Sequence, residues 1–170
     1  IIQDTGSGGS YPVSTDRIVW ALGASETLKY LDGAEREHFL NQVWPILRDT
    51  IEQDRRLVFD PKNGLYRGEQ SFLDWREQTY PGWTKDNVLV IAMSKSLSVN
   101  AANYFLLKTA GEYAGCLGHR ADEARYTQWA AQLKAAINEG FFDAKAGLYS
   151  TYLLSDGIND IRVQRYDLLG

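Results

Sequence analysis

One cysteine, Cys116, is all the chain contains, so no disulfide can close within it. Histidine is as scarce: His38 and His119 stand far apart, and with a single thiol they make neither a Cys/His zinc cluster nor a nucleophile–base pair. Cations are not in excess. Lysine and arginine number 18 against 22 aspartates and glutamates, a net charge of -4, and no basic stripe is visible, which argues against a nucleic-acid partner. No apolar run approaches a membrane span, so no membrane partner is expected, and Ile1-Ile2-Gln3-Asp4-Thr5-Gly6 is not a signal peptide and lacks an initiating methionine; no cofactor is expected either. The chain opens in a Gly/Ser turn and ends at Asp167-Leu168-Leu169-Gly170, which reads as the start of another element. Residues 1–170 are therefore expected to form one partial catalytic domain of a longer protein. Hydrophobic residues at 44% and charged residues at 24% are the proportions of a globular domain with a sizeable core.

What is present is helical periodicity. Between Thr15 and Leu31, Ile18, Val19, Leu22, Leu28 and Leu31 recur at spacings of three and four, and Asp32-Gly33 ends the pattern. A second helix is expected over Ala34–Arg55, with Phe39, Leu40, Val43, Trp44, Leu47 and Ile51 inward and a kink at Pro45. A third, Ser98–Leu117, turns Ala102, Phe105, Leu106, Ala110 and Tyr113 inward and is capped by Gly118; Cys116 reads as a small buried apolar group at its end. A fourth, Arg120–Glu139, turns Ala124, Trp129, Ala130, Leu133, Ala136 and Ile137 inward, and Gly140 stops it.

The chain also repeats itself. Phe59-Asp60-Pro61-Lys62-Asn63-Gly64-Leu65-Tyr66 matches Phe142-Asp143-Ala144-Lys145-Ala146-Gly147-Leu148-Tyr149, each copy following a long helix. Aspartate with glycine four residues later marks a tight turn between short extended arms. The unit is helix, helix, small β-hairpin, and its period of about 80 residues suits a ring of helical hairpins better than a common solenoid.

One segment stands apart from this regularity. Gly68–Trp83 packs three carboxylates, an arginine, two glutamines and four aromatic rings into a stretch with no helical period. Aromatic faces stack on sugar rings, and carboxylates and amides bind paired hydroxyls. A carboxyl set against apolar groups can keep its proton near neutral pH and serve as a general acid, and Asp74, between Leu73 and Trp75, is the best placed. The alternative is an aromatic-rich loop packed on a helix end with solvated charges.

The order of elements resembles the six-hairpin glycosidases. It is similar above all to the trehalase, processing α-glucosidase and mannosylglycerate hydrolase group, whose loop follows a Glu-x-Gly-Trp-Asp-x-Ser-x-Arg-Trp pattern. Here Glu69-Gln70-Ser71-Phe72-Leu73-Asp74-Trp75-Arg76 takes the loop position and Asn100-Ala101-Ala102 opens the next helix. Gly118 then leads to Tyr126-Thr127-Gln128-Trp129-Ala130, and Phe142-Asp143 and Gly147-Leu148-Tyr149 close the series. The match covers about residues 60–155. The Glu-to-Asp spacing is one residue longer than in that loop, and the arginine follows the aspartate by two residues instead of four. The Asp-Trp order is also similar to α-L-rhamnosidase-like members, where the pair lines the sugar pocket without donating the proton.

The resemblance implies an all-α fold, part of an (α/α)6 toroid of helical hairpins with short β-hairpin excursions. It implies an O-glycosyl hydrolase, inverting, acting on a small saccharide or oligosaccharide. Asp74 would be the general acid, or else a ligand of two sugar hydroxyls. Glu69 and Arg76 would bind hydroxyls at the cleavage point, or else form an ion pair. Trp75, Tyr80 and Trp83 are stacking candidates. Asn100 would orient a loop carboxylate, or simply cap its helix. Trp20 would line the cleft or join the core. In similar enzymes the base comes from a later hairpin, here beyond Gly170, so the chain alone is expected to be inactive; Glu112, Glu123 and Glu139 read as solvated helix charges. Two other classes remain: a non-catalytic helical-repeat binding module, and another toroid sugar enzyme such as an epimerase, phosphorylase or lyase.

Overall fold

The computed structural model of the protein describes residues 16–68, 93–155 and 160–163, the last four by their backbone. Helix α1 spans Asp16–Leu28 and α2 Gly33–Leu57, followed by strands β1 (Phe59–Asp60) and β2 (Leu65–Tyr66). After the loop come β3 (Lys95–Ser96), α3 (Leu97–Cys116) and α4 (Arg120–Phe141), then β4 (Phe142–Asp143), β5 (Leu148–Tyr149), β6 (Tyr152–Ser155) and β7 (Asp160–Val163). The described residues are thus mainly helical. The four helices lie where the three-to-four spacing places them, because each buries one apolar stripe: Leu40, Val43, Trp44, Leu47 and Ile51 on α2, and Tyr126, Ala130 and Leu133 on α4. Three expectations fail locally. Leu22 and Ala124 face solvent, Cys116 is exposed because it lies off the stripe carrying Tyr113 and Ala114, and α4 runs through Gly140 without stopping.

Helix α3 is the centre of the molecule and packs on α1, α2 and, most extensively, α4. Two glycines on one α3 face point at α4, and at Gly111 the α4 backbone itself lies close behind the nearest side chain. A methyl group on Gly111 would lie 2.9 Å from Thr127 Oγ1, and one on Gly115 2.9 Å from Glu123 Oε1. The α3–α4 corner is tight because Gly118 takes φ +77°, which lets its N–H reach Gly115 O and the His119 N–H reach Ala114 O at 2.8 Å.

Both copies of the sequence repeat form the expected antiparallel hairpin, with the same partners. The Gly64 N–H bonds Asp60 O as the Gly147 N–H bonds Asp143 O. Asp60 Oδ1 accepts the Lys62 N–H as Asp143 Oδ1 accepts the Lys145 N–H. The rings of Phe59 and Tyr66 meet at 5.1 Å and those of Phe142 and Tyr149 at 5.2 Å. What the two copies share, the aspartate and the glycine, follows from turn geometry. A three-stranded antiparallel sheet, β3-β6-β7, was not expected; it sets Lys95 opposite Leu153 and Ser96 opposite Tyr152.

Candidate functional site

Glu69, Asp74, Trp75, Arg76, Tyr80 and Trp83 lie outside the described residues. What the structure describes is the stem from which that segment leaves and to which it returns. The outgoing chain runs from β2 through Arg67 and Gly68, and the returning chain enters β3. The two are joined where the Gly68 N–H bonds Ser94 O at 2.9 Å. On the outgoing side the Arg67 N–H bonds Val58 O at the end of α2, and on the returning side β3 is held in register by β6.

Charge reinforces the join. Asp60 Oδ2 stands 3.0 Å from Arg67 Nη2 on the outgoing strand and 3.0 Å from Lys95 Nζ on the returning one. The Lys95 side chain is only 3% exposed, so its ammonium is held away from water and a carboxylate beside it is required. Burial by itself would raise the pKa of Asp60. The Lys95 hydrogen bond, the Lys62 N–H and the charges of Lys95 and Arg67 outweigh it and hold the carboxyl below its ordinary value.

Asn100 lies beneath the same stem, fully buried in the first turns of α3. Its Oδ1 accepts the Tyr66 N–H at 2.8 Å, and its Nδ2 donates to Tyr66 O at 3.0 Å and to Ser96 O at 2.8 Å. The amide reads both backbone groups of Tyr66, as a neighbouring strand would, and so ties hairpin β1–β2 to α3. The helix cap is Ser96, whose Oγ accepts the Val99 N–H at 3.1 Å. Trp20 packs half-buried against the core. Glu112 and Glu123 form helix-surface pairs with Lys108 and Arg120.

The stem triad of Asp60, Arg67 and Lys95 was missed in the sequence as a group. Asp60 was visible only as a turn residue. A signal did exist: the second copy of the repeat has Ser150 where the first has Arg67, and the backbone bond is the same, since the Ser150 N–H bonds Phe141 O as the Arg67 N–H bonds Val58 O. A charged side chain in one copy only is therefore not required by the hairpin itself. Among the described residues no group of three His, Cys, Asp or Glu side chains is placed to hold a metal ion, and no helix is long and apolar enough to cross a membrane. No family model matches the chain, and neither a curated protein nor a solved structure matches it significantly.

Proposed function

We propose that the chain carries part of the active site of a glycoside hydrolase, built in a ring of helical hairpins, with the loop between Gly68 and Ser94 presenting the sugar-binding groups. The observation that carries this reading is the stem. A chain segment of 25 residues between these two positions begins and ends on adjacent, hydrogen-bonded backbone, reinforced by a buried aspartate and lysine and a half-buried arginine. Binding loops held by a rigid scaffold are where recognition and catalysis concentrate. The composition of this one, rich in carboxylates, amides and aromatic rings, matches the needs of a saccharide. In this reading Asp74 protonates the leaving oxygen, Glu69 and Arg76 bind hydroxyls at the cleavage point, and Trp75, Tyr80 and Trp83 stack on sugar faces. An inverting reaction also requires a base about 6.5–9.5 Å from the acid, on the opposite face of the sugar.

The test is hydrolysis of α- and β-linked aryl glycosides and natural disaccharides by the native protein, with saccharide binding followed in parallel by tryptophan fluorescence. Asp74→Asn should retain binding, since the amide keeps shape and hydrogen bonding. It should lose turnover by about 10²–10⁴-fold on substrates with poor leaving groups, because it cannot donate a proton. Saccharide binding without hydrolysis by the wild type would leave a binding module. Absence of both would remove the carbohydrate reading.

A further inference from the structure

The two hairpins are built alike, and one of them carries an insertion. In the second unit only Ser150 and Thr151 separate Tyr149 from β6. In the first, Arg67 and Gly68 lead from Tyr66 into the 25-residue loop, and the chain comes back at Ser94. The backbone at this point is the same in both copies: the Arg67 N–H bonds Val58 O at 2.8 Å, and the Ser150 N–H bonds Phe141 O at 2.7 Å. The side chains differ. Ser150 is fully buried, and its Oγ has no hydrogen-bond partner among the described residues. Arg67 reaches back to Asp60. The hairpin therefore forms without a charge at this position, and the arginine stands only in the copy from which the loop departs.

Asp60 is suited to hold both ends of that loop. The turn fixes its orientation, because Oδ1 accepts the Lys62 N–H at 3.1 Å, as Asp143 Oδ1 accepts the Lys145 N–H in the second copy. Oδ2 is then directed at the loop ends, 3.0 Å from Arg67 Nη2 and 3.0 Å from Lys95 Nζ. Between those cations lies the hydrogen bond from the Gly68 N–H to Ser94 O. One oxygen thus binds a cation from the residue next to each end of that bond. The aspartate side chain is 10% exposed, so the contact is charge-assisted and little screened by water. A lysine side chain 3% exposed is costly unless such a partner is in place. The sheet does not ask for it, since its neighbour across the strands is Leu153.

We propose that Asp60 is a positioning residue: its carboxylate, oriented by the turn, holds the departing and returning ends of the loop in register and so sets the base on which the loop's functional groups are carried. The hairpin bonds belong to the repeat, and the join belongs to the charges. The effect on turnover rests on the glycoside-hydrolase reading; the effect on the join does not.

Amide exchange in the whole chain, followed residue by residue by NMR, tests the join. Asp60→Asn/Lys95→Met removes both buried charges together, so neither is left unpaired and the fold is kept. The Gly68 N–H should then exchange at least about tenfold faster than in the wild type, the worth of one charge-assisted contact expressed as local opening. The Arg67 and Gly64 N–H groups, which bond Val58 O and Asp60 O within the hairpin, should keep their wild-type rates. The milder Arg67→Gln, at a half-buried position, should show the same pattern with a smaller rise. It should also lower kcat on saccharides, by up to roughly 10²-fold if the acid is displaced by about 1 Å, and Arg67→Lys should restore most of the loss. If the wild type hydrolyses no saccharide, the hydrolase reading fails and the exchange pattern still decides the join. Unchanged exchange at Gly68 in both variants overturns the proposal, because the join then stands without the charges. Equal acceleration at Gly68, Arg67 and Gly64 overturns it too, because the charges then hold the hairpin as a whole. So does a wild-type kcat in Arg67→Gln on a substrate that the native protein turns over.

Discussion

Asp60 serves two structures with its two oxygens. Oδ1 holds the turn through the Lys62 N–H, and Oδ2 holds the loop stem through Arg67 and Lys95. Asp60→Asn keeps an acceptor for the turn but leaves Lys95 buried beside a neutral amide. Removing one partner of a buried pair costs about 3–5 kcal/mol, far more than the pair contributes over an apolar replacement, so the variant should unfold at markedly lower urea. The pH dependence has a definite sign. The folded carboxyl titrates below its unfolded value. Its stabilisation is therefore complete above the unfolded pKa of about 3.9 and is lost as pH falls through the folded value. Urea midpoints of wild type and Asp60→Asn should differ by a constant amount near neutrality and converge in acid below about pH 4. A gap unchanged down to pH 2 would mean that the carboxylate charge is not what the stem requires. Only half of this role could be read from the sequence. The Asp-to-Gly spacing announces a turn, because turn chemistry is local. The ion pair joins residues 60 and 95 across the whole loop, and no periodicity reports a contact of that range.

At the scale of elements, the helices were legible and the sheet was not, for one physical reason. A helix of twenty residues repeats its apolar stripe several times, so a few exceptions such as Leu22 and Ala124 do not hide it. Strand β6 has four residues, Tyr-Leu-Leu-Ser, all buried, so it shows no alternation between faces, and β3 is Lys-Ser, which has no apolar residue at all. Gly140 was read as a stop when it is a contact that lets α4 approach Leu65, and Gly111, which carries no signal in the helical pattern, lets α3 approach Thr127. The α3 pair permits a test that separates packing from propensity. At Gly111 an added side chain faces the backbone of α4, with Thr127 N at 3.5 Å and Glu123 O at 3.7 Å behind the Thr127 hydroxyl. Gly111→Leu should therefore cost about 1–3 kcal/mol by overpacking. At Gly115 all three nearest atoms belong to the Glu123 side chain, which can swing away. Gly115→Ala should be neutral or gain up to about 1 kcal/mol of helix propensity. Thermal unfolding of the two variants decides it, and equal destabilisation would show that α3 and α4 approach as closely at Gly115 as at Gly111.

For the whole molecule the question is whether two helix–helix–hairpin units make one cooperative body. Stacked repeats owe their stability to intrinsic terms and to the interface with each neighbour, and here there is a single such interface among the described residues. It is varied in kind. Glu52 of α2 meets both Arg125 Nη2 at 3.0 Å and Tyr126 Oη at 3.1 Å of α4, and Arg55 stacks between Phe59 and Trp129. Asn100 fixes the first hairpin to α3, and β6 of the second unit pairs with β3 at the foot of the loop. Tyr126 is itself committed to the hydroxyl form, its pKa raised first by burial and then by Glu52. Helix α3 also touches every other helix, so neither unit can open without stripping it of partners. Unfolding in urea should accordingly be one transition, with the same midpoint by far-ultraviolet circular dichroism and by tryptophan fluorescence. Glu52→Ala should lower that midpoint without dividing it, because the hairpin, the asparagine clamp and the sheet still join the units. Two separated midpoints in the wild type would mean that each unit folds alone. The loop stem, which draws Arg67 from the first unit and Lys95 from the start of the second, would then rest on a joint and not on a rigid body.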